Sequence, residues 1–124
     1  MNAQILFDTV ITHLLNQKVQ SINESANCLY RGPNGTSCAV GCLIPDEMYD
    51  KDMDNMNEDS SIAYVVEHFV TPDYFKDHIE LLKRLQEIHD QDYYGEGFTK
   101  NNSDFMTMIG DVAAEFGLVD KFNV

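Results

Sequence analysis

The sequence predicts an α+β domain in which about four helices pack around a small two-stranded β-hairpin, and three observations carry that expectation. Apolar residues recur at spacings of three and four around 5–19, 62–69, 75–90 and 105–116, the period of a buried stripe on a helix. Dense turn chemistry stands at Gly32-Pro33-Asn34-Gly35, where Pro fixes one dihedral and Asn-Gly accepts positive φ. At 124 residues the chain can bury roughly two thirds of its unfolded surface, so a single compact domain over 1–124 is expected.

Along the chain, Ile5, Leu6, Val10, Ile11, Leu14, Leu15 and Val19 describe the first helix, and the polar run 21–27 reads as its exit loop. The hairpin arms are expected near 28–31 and 36–39. Residues 39–44 are too short to classify by period, and Pro45 stops whatever they form. The stretch 46–59 holds seven acidic residues against Lys51 alone and reads as an exposed loop. Ser60 or Ser61 can cap a short helix to about Phe69. Thr71-Pro72-Asp73 combines a cap, a first-turn proline and a dipole-complementing acid, which predicts the longest helix, ending near Asp90. After the aromatic loop Tyr93–Phe98, Ser103-Asp104 opens a last helix, and Gly117 before Leu118 suits a glycine C-cap.

Composition narrows the partners. Apolar residues make up 44% of the chain, which is ordinary for a folded domain, so the acidity does not signal disorder. Twenty-one Asp and Glu against eight Lys and Arg give a net charge of −13. Direct nucleic-acid binding is not expected, because phosphate contacts need clustered cations and only Lys83-Arg84 are adjacent. The same field repels an anionic membrane and favours encounter with a partner protein carrying a basic surface. No targeting or membrane-spanning segment is apparent. Three cysteines without a secretion signal suggest free thiols in a reducing compartment, so a cytoplasmic protein is expected.

Several constellations could carry chemistry. Cys38 and Cys42, four apart, share a face in either a helix or a strand, with Cys28 on the other arm. A zinc site completed by a histidine is conceivable, but the spacing matches no common zinc knuckle. Buried cysteine also behaves as a small apolar residue. No metal and no cofactor is expected. A nucleophilic cysteine would need a base, and His89, beside Asp90, is the best placed. Asp50, Asp52 and Asp54 match the first three ligand positions of an EF-hand, but Asn55 replaces its glycine and Ser61 its closing glutamate. Arg31 beside the turn could clasp a carboxylate or phosphate, although no phosphate-loop signature follows.

The run from Cys28-Leu29-Tyr30-Arg31-Gly32-Pro33-Asn34-Gly35 through Cys38-Ala39-Val40-Gly41-Cys42-Leu43-Ile44-Pro45-Asp46-Glu47-Met48-Tyr49, and the later Leu82-Lys83-Arg84-Leu85-Gln86-Glu87-Ile88-His89-Asp90, resemble a group of small uncharacterised proteins of phages and bacteria. With the amphipathic N-terminal helix these blocks cover most of the chain. It departs from the group's pattern in lacking a tryptophan after His89-Asp90. The resemblance brings no activity with it; it implies a phage or prophage accessory protein, acting in the host cytoplasm.

Two functions follow as expectations. The first is a non-enzymatic acidic factor that inhibits a host defence or nucleic-acid-handling protein, with Asp46, Glu47, Asp50, Asp52, Asp54, Glu58 and Asp59 as its contact residues and nucleic-acid mimicry as one means. The alternative is a small-molecule binder or small enzyme whose pocket gathers Arg31, Asn34, Cys38, Cys42, His89 and Asp90. The Tyr93-Tyr94 and Phe98 loop offers a surface for a homo-oligomer.

Overall fold

A computed structural model describes residues 1–55 and 61–124. Four α-helices organise them: α1 (Ala3–Gln17), α2 (Ile62–His68), α3 (Ile79–Asp90) and α4 (Ser103–Glu115), joined by short 3₁₀ turns at Pro33–Gly35, Gly41–Leu43, Lys51–Met53 and Asp73–Asp77. Among them α3 is central, packing against α1, α2 and α4.

Three of the four helices begin where a small polar side chain takes an orphan N–H, whereas α3 follows His78 without a capping side chain. Asn2 accepts from Ile5 N at 2.9 Å, Ser61 from Tyr64 N at 3.3 Å, and Asn102 from Phe105 N at 3.2 Å. The amphipathic stripes then meet. Leu6, Phe7, Val10, Ile11 and Leu14 of α1 are buried, as are Leu81, Leu82, Leu85 and Ile88 of α3 and Phe105, Ile109 and Val112 of α4. Phe98 stacks on Phe105 at 5.2 Å between ring centroids, and Tyr93 meets Phe98 edge-on. Two of the loop's three aromatics therefore turn into the core, and the third, Tyr94, is 89% exposed. At the end of α4, Gly117 takes φ +66°. Leu118 N donates to Ala113 O at 2.8 Å and Gly117 N to Ala114 O at 3.3 Å, the paired bonds of a Schellman motif.

The α+β expectation is overturned: the described residues form no strand and no sheet, and their one β-type pairing is an isolated antiparallel bridge between Ile22 and Cys28. The turn itself forms. Asn34 and Gly35 both have positive φ, Thr36 N donates to Pro33 O at 3.2 Å, and Gly32 N to Thr36 O at 2.8 Å. The arms do not continue as a ladder, because their N–H groups are taken by other parts of the chain. Leu29 N goes to Ser21 O at 2.8 Å. Tyr30 N and Arg31 N go to the Asp54 carboxylate at 2.7 and 3.1 Å. Ser37 N goes to Gln17 Oε1 at 2.9 Å, and Val40 N to Gln86 Oε1 at 3.1 Å.

The helix expected from Thr71-Pro72-Asp73 also differs. Asp73–Asp77 is a separate 3₁₀ turn, and His78 at φ −133°, ψ 28° breaks the path before α3 starts. With 12 residues α3 is shorter than α1, which has 15. No helix among the described residues is long and apolar enough to cross a membrane.

Candidate functional site

The unusual residues of the two sequence blocks separate into two places. One is a buried polar node under α3. Gln86, His89 and Asp90 lie three and four apart and so share one face of that helix. The bridge at Ile22 and Cys28 brings Ser21 and Cys28 to that face. His89 is fully buried, and Ser21 N donates to its Nε2 at 2.9 Å. A backbone N–H can only donate, so Nε2 is the acceptor and the ring proton resides on Nδ1. From there it is donated to Asp90 Oδ1 at 2.8 Å. The Gln86 amide completes the node: Nε2 donates to Asp90 Oδ1 and to Cys28 Sγ, both at 2.9 Å.

Both thiols of this region are held in polar surroundings. Gly41 N donates to Cys38 Sγ at 3.3 Å. The Cys28 thiol is pushed far above the ordinary cysteine range by its hydrogen bond with Cys38, then by burial and by the charge of Asp90. Such a thiol stays protonated and is a poor nucleophile. Nor does His89 have a lone pair to spare for it, since Nε2 is engaged by Ser21 and Nδ1 carries the proton. The arrangement does not form a Cys-His catalytic pair.

Donor atoms of Cys28, His89 and Asp90 lie within 4.8 Å of one another, close enough to share a metal ion. A metal-bound imidazole needs one bare nitrogen on the ion and an N–H on the other that donates outward. Here the bare nitrogen faces the Ser21 N–H. Binding an ion at Nδ1 would set two N–H groups against each other in the interior, so the residues do not fit a metal. Asp50, Asp52 and Asp54 do not converge either: Asp50 Oδ1 accepts from Asp52 N at 2.9 Å, while Asp54 points inward.

The second place is a cleft of about 630 Å³ whose lining includes His13, Arg31, Thr36, Cys42 and Asp46. Arg31 is its most prominent group. Its Nη1 donates to Gly41 O at 2.7 Å and Tyr30 O at 3.2 Å. Its Nη2 donates to Ile44 O at 2.6 Å and Asp46 Oδ1 at 3.0 Å, and the guanidinium lies 4.8 Å from the centre of the Tyr49 ring. The fork that could clasp a ligand thus staples the 41–46 turn to the end of the arm. Gly41 is needed for this approach, because a Cβ there would stand 2.5 Å from Tyr30 O. Cys42 Sγ donates to Ala39 O at 3.1 Å, and burial, then the neighbouring Cys38, pushes its thiol up to about 12.

Of the expected pocket residues, then, Arg31 and Cys42 meet in this cleft, Cys38, His89 and Asp90 belong to or border the polar node, and Asn34 is exposed on the turn. Of the acidic set, Asp46, Glu47, Asp50 and Asp52 are exposed. Asp54 is not available: besides the two backbone N–H groups it accepts from the Tyr49 hydroxyl. Burial and this bond to Asp54 raise the Tyr49 pKa. Glu58 and Asp59 lie outside the described residues. Sequence reasoning missed Ser21, Gln86 and the inward role of Asp54; the spacing of Gln86 to His89 and Asp90 was the signal available for the second.

In comparisons with protein-family models, curated proteins and solved structures nothing matches this chain, so the site is read from its own geometry.

Proposed function

We propose that the chain is a non-enzymatic acidic binding protein whose exposed carboxylates Asp46, Glu47, Asp50 and Asp52 engage a basic surface on a partner protein. In the phage or prophage setting that the sequence resemblance implies, the partner is a host protein, and the acidic ridge competes with nucleic acid for its basic surface.

One observation carries the reading: the groups suited to chemistry are consumed internally, while the acidic residues just after them are presented to solvent. Among the described residues no buried side-chain nitrogen or oxygen lacks a partner, whereas a ligand site usually keeps a few polar groups in reserve for its ligand. The ridge is also held in place. Asp46 is clamped by Arg31, and the Lys51–Met53 turn is fixed by Asp50 at its start and by buried Met53. Exposed charges set in a firm frame steer encounter and register more than they add affinity.

The test is capture of the tagged protein's partner from host lysate at low and at high salt. A parallel capture uses a variant with Asp46→Asn, Glu47→Gln, Asp50→Asn and Asp52→Asn, its fold checked by circular dichroism. One stoichiometric protein, released at high salt and captured at least tenfold less well by the variant, is the expected result. Capture that is unchanged by the four neutralisations refutes the acidic ridge as the contact. A small molecule retained in place of a protein, with amide shifts that map to Arg31, Thr36 and Cys42, would transfer the function to the Arg31 cleft.

A further inference from the structure

A different corner of the molecule carries the opposite charge. The N-terminal helix ends at Lys18, whose carbonyl accepts from Phe98 N at 2.9 Å, so the end of α1 and the 97–100 segment are tied side by side. Between them and the C-terminal segment lies a cleft of about 430 Å³. Leu15 and Phe122 form its apolar wall over the fully buried Phe98, and Lys18 and Lys100 stand on its margin. Lys121 is adjacent, with its ammonium 5.5 Å from the centre of the Phe122 ring. Half of the chain's six lysines therefore gather around one apolar cleft of a protein whose net charge is −13. All three are exposed. Among the described residues none pairs with a carboxylate: Lys18 Nζ donates to the Leu15 carbonyl at 3.1 Å, and the ion pairs involve other cations.

We infer that this cleft is a binding site for a small amphipathic carboxylate, with its apolar tail against Leu15 and Phe122 and its carboxylate between Lys18 and Lys100. The volume lies within the range of small-ligand pockets, about 300–1,000 Å³. Charge complementarity selects the head group. An ammonium within about 4 Å of a carboxylate is worth roughly 1 kcal/mol even in water, and the neighbouring Asp120 carboxylate is already engaged by Phe122 N at 2.9 Å and by Asn123. This site is independent of the acidic ridge and stands or falls separately from it.

The probe is decanoate, titrated below its micelle concentration into ¹⁵N-labelled protein, with decyltrimethylammonium as the oppositely charged control. Saturable amide shifts confined to Leu15, Lys18, Phe98, Thr99, Lys100 and Phe122, absent with the cationic control, are expected. Lys18→Asn with Lys100→Gln should weaken decanoate binding at least tenfold. Asparagine suits the positive φ of position 18, so that variant keeps the helix end intact. Lys83→Gln, on α3 and paired with Glu80, should leave binding unchanged. No saturable shifts, shifts scattered over the surface, equal binding of the cationic amphiphile, or an unweakened double variant would each overturn the assignment.

Discussion

Replacing His89 with phenylalanine lowers the folding free energy by about 3 kcal/mol, a drop of roughly 10 °C in melting temperature for a domain of this size. Phenylalanine keeps a ring in the site, where His89 lies 5.6 Å from Phe98, so little of the effect comes from lost packing. What is lost is the acceptor for Ser21 N and the donor to Asp90. An orphaned buried N–H costs about 1–3 kcal/mol, and a hydrogen bond to a charged group is worth about 1.5–3 kcal/mol. Asp90→Asn alone costs about 1 kcal/mol or less, because that side chain is 45% exposed and water replaces part of the bond. Denaturant unfolding of the two single variants and the double variant checks this. The double variant should be clearly less destabilised than the sum of the singles, since both remove the same bond. An effect of His89→Phe below about 1 kcal/mol would mean that the node does not hold the segments together.

The second large effect falls within the acidic segment. Asp54→Asn lowers stability by about 2–4 kcal/mol, while Glu47→Gln or Asp52→Asn changes it by no more than about 0.5 kcal/mol. Asp54 accepts from Tyr30 N and Arg31 N on its two oxygens and from the Tyr49 hydroxyl on the second. An amide of the same shape turns one acceptor into a donor and sets it against a backbone N–H. Glu47 and Asp52 are exposed side chains without such partners. Equal and small effects at all three positions would return Asp54 to the surface ridge. The contrast is measurable by thermal or urea unfolding with circular dichroism.

These two residues also show where the sequence was legible. The α4 stripe, the middle of the α1 stripe, the Ser61 cap and the Gly117-Leu118 terminus were readable because each depends on residues a few positions apart in one helix, whereas Ile5 and Val19, expected at the ends of the α1 stripe, are exposed and Val19 lies beyond the helix. The Asn34-Gly35 turn was readable for the same reason. What its arms would pair with was not, since that is decided by groups 20 to 58 residues away in sequence: Gln17 against Ser37, Asp54 against Tyr30 and Arg31, Gln86 against Cys28 and Val40. A turn signal specifies the reversal of the chain and says nothing of where the flanking N–H groups go. The helix predicted from Thr71 failed more simply. Pro72 stands at the cap position of a 3₁₀ turn with no capping side chain, so Thr71 does not cap it, and His78 breaks the path before the periodic stripe of α3 resumes. Among the candidate site residues, the sequence identified Cys28, Cys38, His89 and Asp90 as unusual. Only the position of the ring proton, fixed by Ser21, distinguishes a structural histidine from a base.

In this protein the reactive-looking groups are spent on holding the fold. The decisive measurement is the rate at which the three thiols react with a disulfide reagent at neutral pH, followed by mass spectrometry to identify each cysteine. Burial and neighbouring groups hold the Cys28 and Cys42 thiols in the protonated form, and Cys38 is fully buried. All three are therefore predicted to react slowly in the folded protein and rapidly once it is denatured. A single thiol that reacts in the native state faster than in the denatured chain would contradict the claim and point to a nucleophile.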